Sequence, residues 1–573
     1  MTLAFVEELP AGALAAPTDT TTARPGFLRM VHEYELEPPE QPDVAEAAAT
    51  AAATTAAIIA QAKRLAERHP KSPAVFARLA HAEMHAGHRD DAVQAALRTV
   101  ALEADCPDQS ALSAAAVVLA AAGEHQLAEE ALHRARGHGY SYLYAAFVAE
   151  RGEYRTALAR LEGQDDPASL MLRGWLLICI SDYAGAVRTL RRVIAQDAPS
   201  ADLLVNLGYA YGALGARRKA LRATEMATYL APTDRTAGFN LAGFRSASGD
   251  FDGALRELHR IEQFHPDDLN IPFAIAAVRT RCGDVERAAR ELAQLQSEPR
   301  AWHADPQDRA QLKANLASLE FSLGRRDRSS AITAIRRALE ATNHQSLRIA
   351  ELLATFYVKK SDASALQELY QALLGIYGHT KLYGLETRLA MLKAQFPAAV
   401  AASRRWVEHD PFNSDAAAFA TYLTAEFSRD YDEAVRIGVE ALRRVPDAEM
   451  VANNVACALA MAGRPREARR FLPRGRKLPH IVATTALIEL VSGDVEAGRR
   501  GYEEAAVLAE ERGERDFAAL VRFRAKLAMM QVGVLAELDP VELPERFADD
   551  PQFILLLQAA RRSLGEPLTP KKI

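Results

Sequence analysis

The sequence predicts an all-α fold, a right-handed superhelical solenoid of antiparallel helix hairpins. Three observations predict it. Ala201–Asp234 is 34 residues long with apolar residues at helical spacing, and the next 34, Arg235–Asp268, repeat its plan. Glycine and proline fall singly at fixed points of that period, where helices must stop. Hydrophobic residues make up 49% of the chain but aromatics only 7%, so alanine fills much of the interior, as close-packed helices require.

Within Ala201–Asp234, Leu204, Leu207, Gly208 and Tyr211 hold positions 4, 7, 8 and 11, one face of a first helix. Gly215, at position 15, ends that helix and takes the positive φ of the turn. Ala220, Thr224 and Ala227, at 20, 24 and 27, share a face of a second helix, and Pro232 closes the unit. Small residues at 8 and 20 let the two backbones approach. In Arg235–Asp268 the matching residues are Leu241, Ala242, Gly249, Ala254, Leu258, Ile261 and Pro266, with Arg245 in place of the tyrosine.

This pattern resembles the tetratricopeptide repeat family, over most of Pro73–Arg512. Residues 1–42, rich in Pro, Thr, Ala and Glu, read as a disordered leader. Residues 43–72 read as N-terminal capping helices formed by a degenerate first hairpin. Residues 73–300 read as the regular half of the array, with shortened units at Gln109–Gly137 and His138–Asp166. Residues 301–512 read as its degenerate half, opening on a polar linker, Ala301–Arg309. Ser346–His379 lacks the turn glycine, and Ser414–Ala448 carries one extra residue before Ala434. Residues 513–573 read as capping helices and a tail, as a solenoid end requires.

The formal net charge is −6, so no basic excess recommends nucleic acid as a partner. Arg217, Arg218, Lys219 and Arg222, with Arg325, Arg326 and Arg328, are the basic clusters that an RNA-binding alternative would use. No apolar run reaches the ~18 residues that span a bilayer. The opening stretch lacks a secretory pattern, so a cytoplasmic location is expected. Cys106, Cys179, Cys282 and Cys457 have no metal spacing and are expected as small buried residues. His81 and His85 share a helix face, but Glu83 lies one place too late for a zinc-protease motif. No catalytic residues, metal or cofactor are expected.

Positions 2, 5, 6, 9 and 13 of the first helix form a second stripe, expected to point away from the core. Here it is apolar: Met171, Leu172 and Trp175, then Val205, Asn206 and Tyr209, then Phe239 and Asn240, then Asn270 and Phe273. The resemblance implies that this face lines a concave peptide-binding groove. Asn206, Asn240, Asn315 and Asn454 share position 6. They resemble the asparagine ladder with which such domains grip extended chains; cross-linking of neighbouring repeats is the alternative. The family's two-carboxylate clamp is not matched, since Val205, Tyr209, Asn270 and Ala274 depart from it. The expected function is a non-catalytic scaffold, adaptor or regulatory subunit that binds a polypeptide segment. An accessory subunit of an enzyme complex is a further alternative.

Overall fold

The computed structural model describes residues 44–102, 109–135, 140–196, 199–472, 477–511, 515–534 and, near the end, 550, 551, 553–555 and 558. The expected leader, 1–42, lies outside them. Among the described residues every regular element is a helix. The chain divides into two compact units, one holding Thr22–Ala210 and the other Tyr211–Ile573. The repeat register suggests a division at 300/301 instead.

The first unit begins with α1 (Val44–Arg68). Hairpins follow: α2–α3 (Pro73–His85, Arg89–Leu102), α4–α5 (Gln109–Ala121, His125–Arg134), α6–α7 (Tyr140–Glu150, Tyr154–Arg160) and α8–α9 (Pro167–Cys179, Tyr183–Gln196). Then comes α10 (Ala201–Ala213), inside which the division falls. Where a degenerate first hairpin was expected, α1 is a single helix of 25 residues, because alanine-rich sequence has no break before Pro70. It buries Ile59, Ala62 and Ala66, spaced for one face.

The second unit continues with α11 (Arg217–Leu230), α12–α13 (Arg235–Ala247, Phe251–Glu262) and α14–α15 (Asn270–Arg281, Val285–Leu295). After α16 (Pro299–His303) come α17–α18 (Pro306–Ser322, Arg328–Glu340), α19–α20 (Leu347–Phe356, Ala363–Tyr377) and α21–α22 (Tyr383–Leu392, Phe396–His409). The last hairpins are α23–α24 (Ser414–Leu423, Tyr431–Arg444), α25–α26 (Glu449–Met461, Pro465–Phe471) and α27–α28 (Pro479–Val491, Val495–Glu511), with α29 (Arg515–Gln531) beyond them. Ala301–Arg309 is not a linker: Ala301 is buried in α16, and Asp305 caps α17 by accepting from the Gln307 N–H at 2.6 Å, with Pro306 in the first turn.

Aspartates start the helices of both kinds. Asp166 and Asp234 accept from N–H groups three residues on, at 2.9 and 2.7 Å, and open first helices. Asp182 and Asp250 do the same for second helices, at 2.8 and 2.9 Å. The turn glycines take left-handed backbone, Gly215 at φ 73° and Gly249 at 81°. Ser181, Ala394 and Arg429 adopt that conformation without glycine's freedom, at 65°, 54° and 56°. The extra residue before Ala434 is absorbed by a π-helical turn, Thr424–Ser428. That turn presents Glu426 to Arg524 of α29, and both side chains of this ion pair are nearly buried.

Position 20 is the tightest point. Ala186, Ala220, Ala254 and Ala288, each 34 residues after the last, are all 0% exposed. Opposite it at position 8, a Cβ added to Gly174 would stand 2.4 Å from Leu190 Cδ2. Gly174→Val should therefore destabilise the α8–α9 hairpin by about 1–3 kcal/mol, read by urea unfolding. Adding Leu190→Ala should recover part of that loss, so the double variant should be more stable than the sum of the single changes.

Candidate functional site

The predicted stripe is mostly not an open face. In the first unit Leu172, Val205 and Asn206 are 0–1% exposed and Trp175 is 6% exposed. Leu172 and Trp175 join Tyr144 and Phe147 of α6 in one core cluster, and Trp175 meets Tyr154 edge-on at 5.9 Å. Met171 and Tyr209 are half-buried, Tyr209 edge-on to Tyr183 at 6.3 Å. In the second unit Phe239, Asn240 and Phe273 are buried, while Asn270 is half-buried. Phe239 packs with Ile271 and Ile275 of α14, and Phe273 with Leu312 of α17. The cause is stacking: a first helix packs against its own second helix and also against the first helix of the next hairpin. Positions 5 and 6 are the seam between neighbours.

The asparagines follow the same logic. Asn454 Nδ2 donates to the Ala418 carbonyl, one repeat back, at 3.1 Å. Asn315 Oδ1 accepts from Gln311 Nε2 at 2.8 Å, and all four ladder residues are buried. The ladder is inside the wall rather than on it.

What remains of the stripe is polar and lies further along. The second unit curls until its first hairpins meet the hairpin α23–α24 and the turns that flank it. Phe244 of α12 and Phe412 pack at 5.8 Å, and Arg281 of α14 pairs with Asp447. Arg444 Nε donates to the Ala213 carbonyl at 2.5 Å. On the inner side Arg348 Nη1 donates to Asn270 Oδ1 at 2.6 Å, and Arg388 pairs with Asp415 at 3.4 Å while lying over the Phe419 ring. In their repeats Asn270 and Asp415 hold position 2, Glu351 position 6, Arg388 position 9 and Arg281 position 13. Asn270 is in the predicted stripe; the same rule carried past Phe273 could have found the other four. Glu351, Arg388 and Asp415 are lone charges in looser repeats, which no local motif distinguishes.

The hairpins decide the architecture, with their 34-residue register, buried alanine at position 20 and left-handed turn at 15. The chain is a solenoid of tetratricopeptide-like hairpins. No protein-family model matches it, and no curated protein does. Among solved structures it is similar to the crystal structure of an APC/C hetero-tetramer, Cut9–Hcn1, at 13% identity and a TM-score of 0.48, covering 89% of this chain and 96% of that one. It is also similar to a tetratricopeptide repeat protein from Parabacteroides merdae ATCC 43184, at 16% identity and a TM-score of 0.33, covering 49% of this chain and 97% of that one.

Arg325, Arg326 and Arg328 pair with Glu286, Glu320 and Asp362 at 2.6–2.7 Å. Arg217 is half-buried, while Arg218, Lys219 and Arg222 are exposed. His81 and His85 stack edge-on at 4.5 Å, and buried Glu83 turns away from them to Lys63 and His88, both at 2.8 Å. Of the cysteines described, Cys457 is buried, Cys179 intermediate and Cys282 exposed, donating to the Arg279 carbonyl at 3.1 Å. Its exposure departs from the buried expectation because position 14 abuts the turn. Among the described residues no helix is long and apolar enough to cross a membrane.

Glu351 is the unusual member of the inner face. Its side chain remains exposed to solvent within the inner wall. Burial and the Asp410 carboxylate push its carboxyl up to about 7, against the pull of Arg388 and Arg348. Burial raises Asp410 and Asp415 as well. The sign follows: the folded chain keeps a proton that the unfolded chain releases between 4.5 and about 7, so stability falls across that window and levels off above it. Glu351→Gln should remove this dependence. It should stabilise the chain at pH 8, by on the order of 1 kcal/mol after allowing for its solvent access, and leave it unchanged at pH 4; thermal melts at both values check this.

Proposed function

We propose that the chain is a non-catalytic interaction scaffold, or a subunit of a protein assembly, that holds a polypeptide segment against the inner face of the second unit. One observation carries the reading. Asn270, Arg348, Glu351, Arg388 and Asp415 come from four first helices, α14, α19, α21 and α23, and lie on one inner face. Alternating carboxylate, guanidinium and amide groups suit an extended chain, whose peptide groups and side chains need donors and acceptors in turn. Their crowding by protein strengthens each such contact. This replaces the apolar groove of Met171–Phe273, most of whose residues are stacked between hairpins, as the favoured seat of binding.

The test is site-specific photo-crosslinking in cells. A benzophenone side chain in place of Glu351 should capture discrete polypeptides that the same group at exposed Arg218 does not. Arg388→Gln in the unlabelled chain should lower retention of those polypeptides at least tenfold, about 1.4 kcal/mol, with far-UV circular dichroism showing the helices intact. Equal capture at 351 and 218 would sink the proposal.

A further inference from the structure

The contacts that bring the start of the second unit against α23–α24 and its flanking turns differ in kind from those that stack its hairpins. Stacking is continuous: buried side chains of neighbouring hairpins share core clusters along the unit. Closure rests on a few groups. Phe244 and Phe412 meet edge-on, both half-buried. Arg281 and Asp447 form an ion pair with a quarter and a fifth of their side chains still exposed, and the Asp447 Oδ1 is buried without a hydrogen-bond partner. Arg444 donates to Ala213, held also by Glu440.

Gly212 sits under the ring pair. A Cβ there would stand 2.5 Å from Phe244 Cε1 and 2.8 Å from Phe412 Cζ. Neither ring belongs to its own hairpin. Gly212 is therefore not a requirement of the repeat, whose register asks nothing of position 12. It makes room both for Phe244 of the neighbouring hairpin and for Phe412 across the closure. Gly215 adds to this: beyond its turn conformation, a Cβ on it would lie 2.9 Å from Arg443 Cβ.

The geometry points to a clasp. Gly212, Phe244 and Phe412, with the Arg281–Asp447 ion pair, fasten the curled turn of the second unit, and this fastening parts as a unit while the hairpins on either side stay folded. A small interface with exposed charges opens at lower free energy than a continuous core. Hinge motion is then spread over the stacked hairpins between α12 and α23, each shifting slightly. Closure stands independently of what the inner face binds.

X-ray scattering of the full chain tests it, with far-UV circular dichroism as the control. Gly212→Val should raise the radius of gyration and the maximum dimension while helicity is unchanged. Arg281→Asp should do the same by setting two carboxylates against each other. Arg281→Asp with Asp447→Arg should return both dimensions to those of the natural chain. A swap that stays as expanded as the single reversal overturns the clasp, as do single variants that scatter like the natural chain. Should Gly212→Val fail to fold, the charge reversal and its swap decide alone.

Discussion

Ala186, Ala220, Ala254 and Ala288 mark the contact on which everything else is built. At each, the methyl group of a second helix is wholly sealed inside the stack. Closeness of this kind fixes the angle within a hairpin, and the same angle recurs every 34 residues. Because each hairpin touches chiefly its neighbours, small angles accumulate rather than average out. The curl of the second unit is the sum of these steps. The inner face and the meeting of Phe244 with Phe412 are consequences of a local spacing imposed many times over.

That hierarchy explains what was legible in the chain. Helix limits, turns and the close-approach positions are local and repeat, so Gly215, Ala254 and Pro232 announce themselves. The one-residue excess before Ala434 was visible too, and the π-turn at Thr424–Ser428 is its physical form. The Ala301–Arg309 stretch misled because charged composition was read ahead of Asp305–Pro306, a helix start written in two residues.

The site was half legible. A second stripe on each first helix is real, but which of its positions meet a neighbour depends on the angle between successive hairpins. Leu172, Val205, Asn206 and Phe273 are apolar or amide-bearing because they lie in that seam. Asn270, Arg388 and Arg281 occupy positions 2, 9 and 13 and stay nearer the inner side. Glu351, at position 6, breaks even this pattern. Its environment is set by Asp410, Arg388 and Asp415 from later hairpins, at separations no window of sequence can bridge.

The π-turn has one more consequence. A strictly periodic array has no reason to stop, since any hairpin could stack on any other. Arg524 of α29 is matched to Glu426, which this irregular turn delivers. Nearly buried, that guanidinium would lack a counter-charge on any other hairpin of the stack. The departure from period acts as a keyed joint: it gives α29 one preferred seat on the stack.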